Sequence, residues 1–258
     1  MRALILAAGR GSRMGCLTGD RPKCFVELQG RLLIERQIAA LRRGGADEIG
    51  VVRGYRAEMI DLPGLFYFTN ERWAETNMVM SLATAASWLS AGPVIVSYAD
   101  IFYRGELVCG LAAAEGQLVI TYDRQWRNLW TRRFDDPLAD AETFRIDAAG
   151  RLLEIAGKTT RMEDIEGQYM GLLKFTPPAW QAVETLLSTL DGATRDRLDM
   201  TGLLRRLLAR SFAIDTFGTD GQWGEIDSPK DVTLYEEMAR NGELVLENVP
   251  LDIGAAAL

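Results

Sequence analysis

The chain contains no histidine and only three cysteines among its 258 residues. The absence of histidine excludes histidine-based catalytic triads, imidazole acid–base catalysis and most zinc sites. Cys16, Cys24 and Cys109 are odd in number and lack metal-site spacing, so a reducing, cytoplasmic location is expected. Enzymatic chemistry in this chain therefore cannot use an imidazole, whereas chemistry based on carboxylates, lysine, arginine and bound ions stays possible.

Long hydrophobic runs and a surplus of positive charge are also missing. No apolar run approaches the roughly 18 residues of a membrane span, and the apolar residues 3–8 are too few for a signal-peptide core. The net charge of −7 argues against nucleic acid or an anionic membrane as a partner. With 48% hydrophobic residues, the chain can bury one sizeable core, so we expect a single domain over 1–258.

The most informative segment lies near the amino terminus, where the apolar residues 3–8 lead into a loop with two glycines and two arginines. Lys23 follows the second arginine by ten residues. Glycines let backbone N–H groups approach a ligand, while the basic side chains supply positive charge. The loop lacks the Gly-Lys-Ser/Thr of a P-loop, and Met14 replaces the third glycine of a dinucleotide fingerprint. The segment predicts a cradle for a nucleotide triphosphate.

Strands and helices alternate along the chain. We expect strands over 3–8, 48–53, 94–98, 117–123 and 167–175, a hairpin of 143–147 with 152–155, and helices over 32–43, 78–89, 177–190, 200–210 and 229–240. Asn77 is a predicted N-cap. This alternation predicts an α/β fold, doubly wound and mostly parallel (Rossmann-like), with ligands at the carboxyl ends of the strands. Asp100 follows such an end, although an aspartate that caps a turn is the alternative.

The pattern changes over 124–170, which we interpret as a small acceptor-binding insertion in the single domain. Trp126 and Trp130 are four residues apart, the spacing of neighbours on one helical face. They are candidates either for core packing or for an apolar wall that receives an amino or trimethylammonium group. Lys158 follows a predicted strand and is either a solvated turn residue or a phosphate contact.

Short motifs along the chain carry a family resemblance. They are Leu6-Ala7-Ala8-Gly9-x-Gly11-Ser12-Arg13, Arg21-Pro22-Lys23, Thr76-Asn77-Met78, Ser97-Tyr98-Ala99-Asp100-Ile101 and Glu225-Ile226-Asp227-Ser228-Pro229. Together they resemble the bacterial nucleotidyltransferases that make NDP-sugars, CDP-choline and CMP-phosphonates. The segment around Asn77 is similar to the cytidylyltransferase branch, which uses phosphonates or choline phosphate.

The resemblance implies an enzyme that couples CMP from CTP to a small phosphonate or phosphate monoester, with 2-aminoethylphosphonate favoured, and releases pyrophosphate. The implied catalytic residues are Lys23, Arg13, Asp100 and Asp227, and the two aspartates would hold Mg²⁺. The implied nucleotide contacts are Leu6, Ala7, Ala8, Gly9, Gly11, Ser12, Arg13, Lys23, Asn70, Thr76, Asn77 and Ser81. The candidate acceptor contacts are Asp123, Trp126, Trp130, Arg132, Arg133, Asp140, Glu142, Lys158 and Tyr169.

Three alternatives stay open at this stage. Choline phosphate is the rival acceptor, because a tryptophan pair suits a quaternary ammonium group. A sugar-1-phosphate nucleotidyltransferase shares the opening motif, and a nucleotide-sensing module without catalysis is the candidate from another functional class. The sequence does not decide which of Asp123, Asp140 and Glu142 faces an amine, and it leaves a homodimer open.

Overall fold

The computed structural model describes residues 1–11, 14 and 18–250. Ser12 and Arg13, two of the predicted nucleotide contacts, lie outside the described residues. In chain order, the strands are β1 (Arg2–Ala7), β2 (Glu27–Leu28), β3 (Arg31–Leu32), β4 (Glu48–Arg53), β5 (Phe66–Thr69), β6 (Val94–Tyr98), β7 (Ile101–Phe102), β8 (Leu118–Asp123), β9 (Phe144–Ile146), β10 (Leu152–Ile155), β11 (Gln168–Phe175), β12 (Asp215–Thr219) and β13 (Gly224–Glu225). The α-helices are α1 (Leu33–Arg43), α2 (Met78–Ala83), α3 (Ala86–Ala91), α4 (Gly105–Ala113), α5 (Trp126–Arg133), α6 (Pro177–Ser188), α7 (Gly192–Asp196), α8 (Met200–Leu208) and α9 (Pro229–Arg240).

A seven-stranded sheet forms the centre of the molecule, with the strand order β12-β8-β11-β6-β1-β4-β5. All neighbouring pairs are parallel except those of β11, which runs antiparallel to both β6 and β8. The predicted doubly wound, mostly parallel α/β fold is therefore confirmed.

The side chains of β1 alternate between two hydrophobic layers, one on each face of the sheet. Ala3, Ile5 and Ala7 belong to the layer that includes α1, α4 and α5, and Leu4 and Leu6 belong to the layer that includes α2, α3, α6 and α8. Because successive strand residues point to opposite faces, an uninterrupted apolar strand fits only between two helical layers. This arrangement leaves the strand ends as the accessible part of the sheet.

Most predicted elements are present, but the helix expected over 78–89 is divided into α2 and α3. The Thr84 hydroxyl donates a hydrogen bond to the carbonyl of Ser81 at 2.7 Å, which competes with continued helical hydrogen bonding. Asn77 caps α2 as predicted, since its side chain accepts a hydrogen bond from the Met78 N–H at 2.7 Å.

The segment 124–170 contains α5 and the antiparallel hairpin of β9 with β10 before the chain enters β11. Its role as an acceptor-binding insertion stays a prediction. No helix in the described part of the chain has both the length and the apolar character needed to cross a membrane.

Candidate active site

A pocket opens at the carboxyl ends of β1 and β6. Five of its lining residues were predicted as nucleotide or catalytic positions: Leu6, Ala7, Gly9, Gly11 and Lys23. Four others have no role assigned by the sequence analysis: Cys24, Met78, Tyr98 and Ala99. Asp100, the predicted strand-end aspartate, lines the same pocket. The sheet brings these segments together because β1 and β6 are neighbouring parallel strands, whose carboxyl ends lie side by side.

Lys23 extends from the glycine loop side of the pocket towards two carboxylates. Its ammonium group donates to Asp100 Oδ2 and to Asp227 Oδ1, both at 2.8 Å, and its side chain is only 11% exposed. Gly11 allows this approach, because a Cβ on its left-handed backbone (φ +68°) would lie 2.9 Å from the Cβ of Lys23. Burial alone would lower the pKa of Lys23, but the two carboxylates outweigh burial and raise it above its ordinary value.

Asp100, Glu225 and Asp227 form an acidic cluster in which one carboxylate oxygen from each residue lies within 4.8 Å of the other two. The cluster exists because β7 pairs antiparallel with β13, placing Glu225 opposite Ile101, and the Ile226 N–H donates to the carbonyl of Asp100 at 2.9 Å. Burial, then the charges of Asp227 and Asp100, raise the pKa of Glu225 to about 8.

The carboxylates of this cluster fit a divalent cation. Asp100 Oδ1 is buried and has no hydrogen-bond partner among the described residues, so this oxygen is available to a ligand. Carboxylate oxygens are the ligands that Mg²⁺ prefers. Glu225 was not predicted as a ligand, although the Glu-Ile-Asp spacing carries the signal, since residues two apart in an extended strand share a face.

Three predicted nucleotide contacts form a hydrogen-bonded network instead of lining the pocket. The buried Asn70 amide donates to the hydroxyls of Thr76 and Ser81, each at 2.9 Å. Asn77 is exposed, and its amide donates to the carbonyl of Arg197 at 3.2 Å. The carbonyl of Ala8 accepts a hydrogen bond from the Tyr55 N–H at 2.9 Å.

The aromatic candidates for acceptor binding are buried in the core. Trp126 is 1% exposed and donates through Nε1 to the carbonyl of Ile165, and Trp130 is 3% exposed and donates to Asp140 Oδ2. Asp123 accepts hydrogen bonds from the Trp223 indole and from the N–H groups of Gln125 and Gly221. Burial raises the pKa of Asp123 despite these donors. Each of these side chains has an internal partner, and none lines the pocket described above.

The remaining candidates are divided between the surface and the interior. Arg132 pairs with Glu243 on the surface, whereas the side chain of Arg133 is fully buried against carboxylates. The Lys158 ammonium lies 3.5 Å from the carbonyl of Asp140. Burial raises the pKa of the half-buried Glu142, and the nearby charge of Lys158 partly opposes this rise. Tyr169 meets the pocket residue Tyr98, with their hydroxyl oxygens 3.4 Å apart.

Comparison with known proteins places this geometry in a family. The family model described as "MobA-like NTP transferase domain" matches residues 3–209. A CTP:phosphoglutamine cytidylyltransferase of Campylobacter jejuni is 34% identical over 92% of this chain and 100% of its own length. A 2-aminoethylphosphonate cytidylyltransferase of Lancefieldella rimae is 33% identical over 40% of this chain and 44% of its own length.

Solved structures agree with the fold. The inositol-1-phosphate CTP transferase from T. maritima superimposes with a TM-score of 0.73 at 19% identity, covering 95% of this chain and 97% of that one. With a family match over most of its length and a relative matched from end to end, the chain belongs to the MobA-like NTP transferase family and is a nucleotidyltransferase with cytidylyltransferase homologues.

Proposed function

We propose that the protein transfers CMP from CTP to a small phosphorylated acceptor and releases pyrophosphate. The observation that carries the proposal is the convergence of Lys23 with Asp100 and Asp227 beside the Gly9–Gly11 loop. The end-to-end similarity to a cytidylyltransferase supports CTP as the nucleotide.

The chemistry needs charge neutralisation more than it needs a base. A phosphate or phosphonate oxygen of the acceptor is already anionic near neutral pH, and it attacks the α-phosphorus of CTP. A new phosphorus–oxygen bond forms there, and the bond from the α-phosphorus to the oxygen that bridges it to the β-phosphorus breaks, so that pyrophosphate leaves. Lys23 would offset the charge on the α-phosphate oxygens, and N–H groups of the glycine loop would bind the β- and γ-phosphates. The absence of histidine is compatible with this reaction.

The acidic cluster would hold Mg²⁺ through Asp100, Glu225 and Asp227. When bound, Mg²⁺ neutralises phosphate charge that Lys23 alone leaves uncompensated. The unpartnered oxygen of Asp100 supports its assignment as a ligand. Because Lys23 contacts Asp100 and Asp227 directly, we expect the lysine to move from the carboxylates towards the nucleotide when metal and CTP bind.

Two acceptors are the leading candidates, 2-aminoethylphosphonate and phosphoglutamine. Both contain an amine. The carboxylates that would receive the ammonium group are the half-buried Glu142 and Asp140, whose Oδ2 also accepts a hydrogen bond from the Trp130 indole. Phosphoglutamine also contains a carboxylate, which the nearby Lys158 would neutralise. This mixed charge and the 100% coverage of the Campylobacter jejuni relative favour phosphoglutamine. Choline phosphate and 2-aminoethylphosphonate both lack a carboxylate that Lys158 could neutralise.

A panel assay tests the proposal. Pyrophosphate release is measured with CTP and Mg²⁺ while phosphoglutamine, 2-aminoethylphosphonate, choline phosphate and glucose-1-phosphate are offered at equal concentration. We expect release with an amine-containing acceptor, and mass spectrometry should find the CMP adduct. Release only with the sugar phosphate would favour the sugar nucleotidyltransferase, and CTP binding without release for any acceptor would favour a sensing module.

A further inference from the structure

Arg133 lies at the end of α5, and its side chain is 0% exposed. Its Nε donates to Asp231 Oδ1 at 2.9 Å, and its Nη1 lies 3.5 Å from Glu225 Oε2. Its Nη2 lies 3.8 Å from Asp227 Oδ2 and has no hydrogen-bond partner in the described part of the chain. One guanidinium group therefore faces three carboxylates, two of which belong to the acidic cluster.

The second oxygen of Asp231 organises the segment that contains Asp227. Asp231 Oδ2 accepts hydrogen bonds from the N–H of Asp227 at 3.0 Å, the N–H of Ser228 at 2.8 Å and the hydroxyl of Ser228 at 3.0 Å. Arg133 thus fixes the backbone at Asp227 through Asp231 as well as facing the Asp227 carboxylate directly.

The two cations of the site act on different oxygens of Asp227. Lys23, which lines the pocket, binds Oδ1 at 2.8 Å, whereas the buried Arg133 lies 3.8 Å from Oδ2. The guanidinium also lies over the rings of Trp130 and Phe134, with its carbon 5.2 Å and 5.1 Å from their centroids. This packing limits the freedom of the Arg133 side chain, so its guanidinium would stay in place if Lys23 moved towards a nucleotide.

We propose that Arg133 is a positioning residue for the divalent cation: it orients Glu225 and Asp227 from the core side, directly and through Asp231. This inference rests on the proposed function, because it takes the acidic cluster to be the metal site. It replaces the expectation that Arg133 contacts the acceptor, because the guanidinium is fully buried against carboxylates. It also gives Trp130 a role, since this ring packs on the guanidinium.

The test measures binding of Mn²⁺ alone to the full chain, by electron paramagnetic resonance of the free ion. Arg133→Met removes the charge and the fork of donors, whereas Arg133→Lys retains the charge. Arg127→Met is the matched control, because Arg127 lies on the same helix with an exposed side chain. It donates to the Met162 carbonyl at 2.8 Å and lies 5.7 Å from the centroid of the Trp126 ring. We expect Arg133→Met to weaken Mn²⁺ binding about 10- to 100-fold, as loss of a residue behind metal ligands does. Arg133→Lys should be intermediate, and Arg127→Met should match the wild type.

Circular dichroism and thermal unfolding show whether each variant is folded. If Arg133→Met does not fold, the Mn²⁺ affinity of Arg133→Lys tests the inference. Wild-type Mn²⁺ affinity in a folded Arg133 variant would overturn the inference, as would a wild-type protein that binds no Mn²⁺. Activity separates the two claims. If Mn²⁺ binding depends on Arg133 but the protein releases no pyrophosphate from CTP, this inference holds and the proposed function is wrong. A positioning role also predicts a higher Mg²⁺ requirement in Arg133→Lys with little change in the KM for CTP.

Discussion

Lys23 and Asp227 are 204 positions apart in the chain, and the lysine Nζ donates to the aspartate Oδ1 at 2.8 Å. Lys23 follows the glycine loop after β1, whereas Asp227 follows β13, which pairs with β7 directly after Asp100. The contact therefore depends on the central sheet and on one small two-stranded ladder at its edge. Substitutions at the contact should affect catalysis, while substitutions in the supporting elements should affect stability first.

Replacing Lys23 with alanine should lower turnover by roughly 10²- to 10³-fold, the cost of losing one preorganised charge-stabilising group. Steady-state kinetics with CTP and the best acceptor measures this loss. Lys230→Ala is the control, since Lys230 is exposed on α9. Near-normal turnover in Lys23→Ala would exclude the lysine from the chemistry.

Asp100→Asn should weaken the binding of Mg²⁺ more than the binding of CTP, so that the variant needs more Mg²⁺ for activity. The substitution retains the side-chain volume but removes the charge and one carboxylate oxygen that are expected to bind Mg²⁺. A Mg²⁺ titration of activity, compared with CTP binding by calorimetry, separates the two effects. An unchanged Mg²⁺ requirement would contradict the assignment of Asp100 as a ligand.

Gly171→Ala should lower the free energy of unfolding by about 1–3 kcal/mol and disturb the pocket. Gly171 has φ +80° at an irregularity in β11, and an added Cβ would lie 2.6 Å from Cδ2 of Tyr98, a pocket residue. Urea denaturation measures the loss. Gly192→Ala should be neutral or slightly stabilising, because its Cβ would meet no atom of the described residues within 4 Å.

Glu247→Ala should cost about 1–3 kcal/mol of stability, because it leaves a buried N–H without an acceptor. The Glu247 carboxylate is 4% exposed and accepts a hydrogen bond from the N–H of Gly105 at 2.7 Å, at the start of α4. Arg104 at the N-cap of α4 makes no side-chain capping bond, so Glu247 supplies the cap. Thermal unfolding compares this variant with Glu237→Ala on the exposed face of α9, where an equal loss would contradict the capping role.

Cys24 should be unreactive at pH 8 while the exposed Cys109 is alkylated. Burial raises the pKa of the Cys24 thiol to about 12, and only the thiolate attacks an alkylating reagent. In a Cys16→Ser background, iodoacetamide should modify Cys24 at least about 100-fold more slowly than Cys109. The raised pKa favours the protonated thiol in the fold, so this contribution to stability is complete below about pH 9 and is lost as the pH approaches 12. Equal alkylation rates of Cys24 and Cys109 in the folded protein would show that the Cys24 thiol is accessible. In urea, where the chain is unfolded, we expect the two rates to be equal.

The sequence predicted the elements whose patterns are local. The uninterrupted apolar strand at β1, the Asn77 cap of α2 and the Pro229 start of α9 all lie where their patterns indicate. Among the elements that the sequence analysis did not predict, β7 and β13 contain only two residues each, too few for periodicity to be visible. Their pairing adds Glu225 to the two predicted aspartates.

Side-chain burial was harder to predict than chain path. The spacing of Trp126 and Trp130 indicated a helix, which α5 confirms, but spacing does not distinguish a face that packs on the core from one that receives a ligand. Likewise, Arg132 and Arg133 are adjacent in the sequence, yet one is on the surface and the other is fully buried. Successive helical residues point about 100° apart, so only the tertiary structure decides which of them enters the core.

The fate of the α-phosphorus of CTP tests most directly whether Lys23, together with Mg²⁺ held by Asp100 and Asp227, promotes transfer of CMP. The protein is incubated with CTP labelled with ³²P at the α-position, Mg²⁺ and phosphoglutamine or 2-aminoethylphosphonate. We expect the label to appear in the acceptor adduct and the released pyrophosphate to be unlabelled, and we expect Asp227→Asn to abolish the transfer. Label that stays in CTP with every acceptor, or transfer that is unaffected by Asp227→Asn, would contradict this expectation.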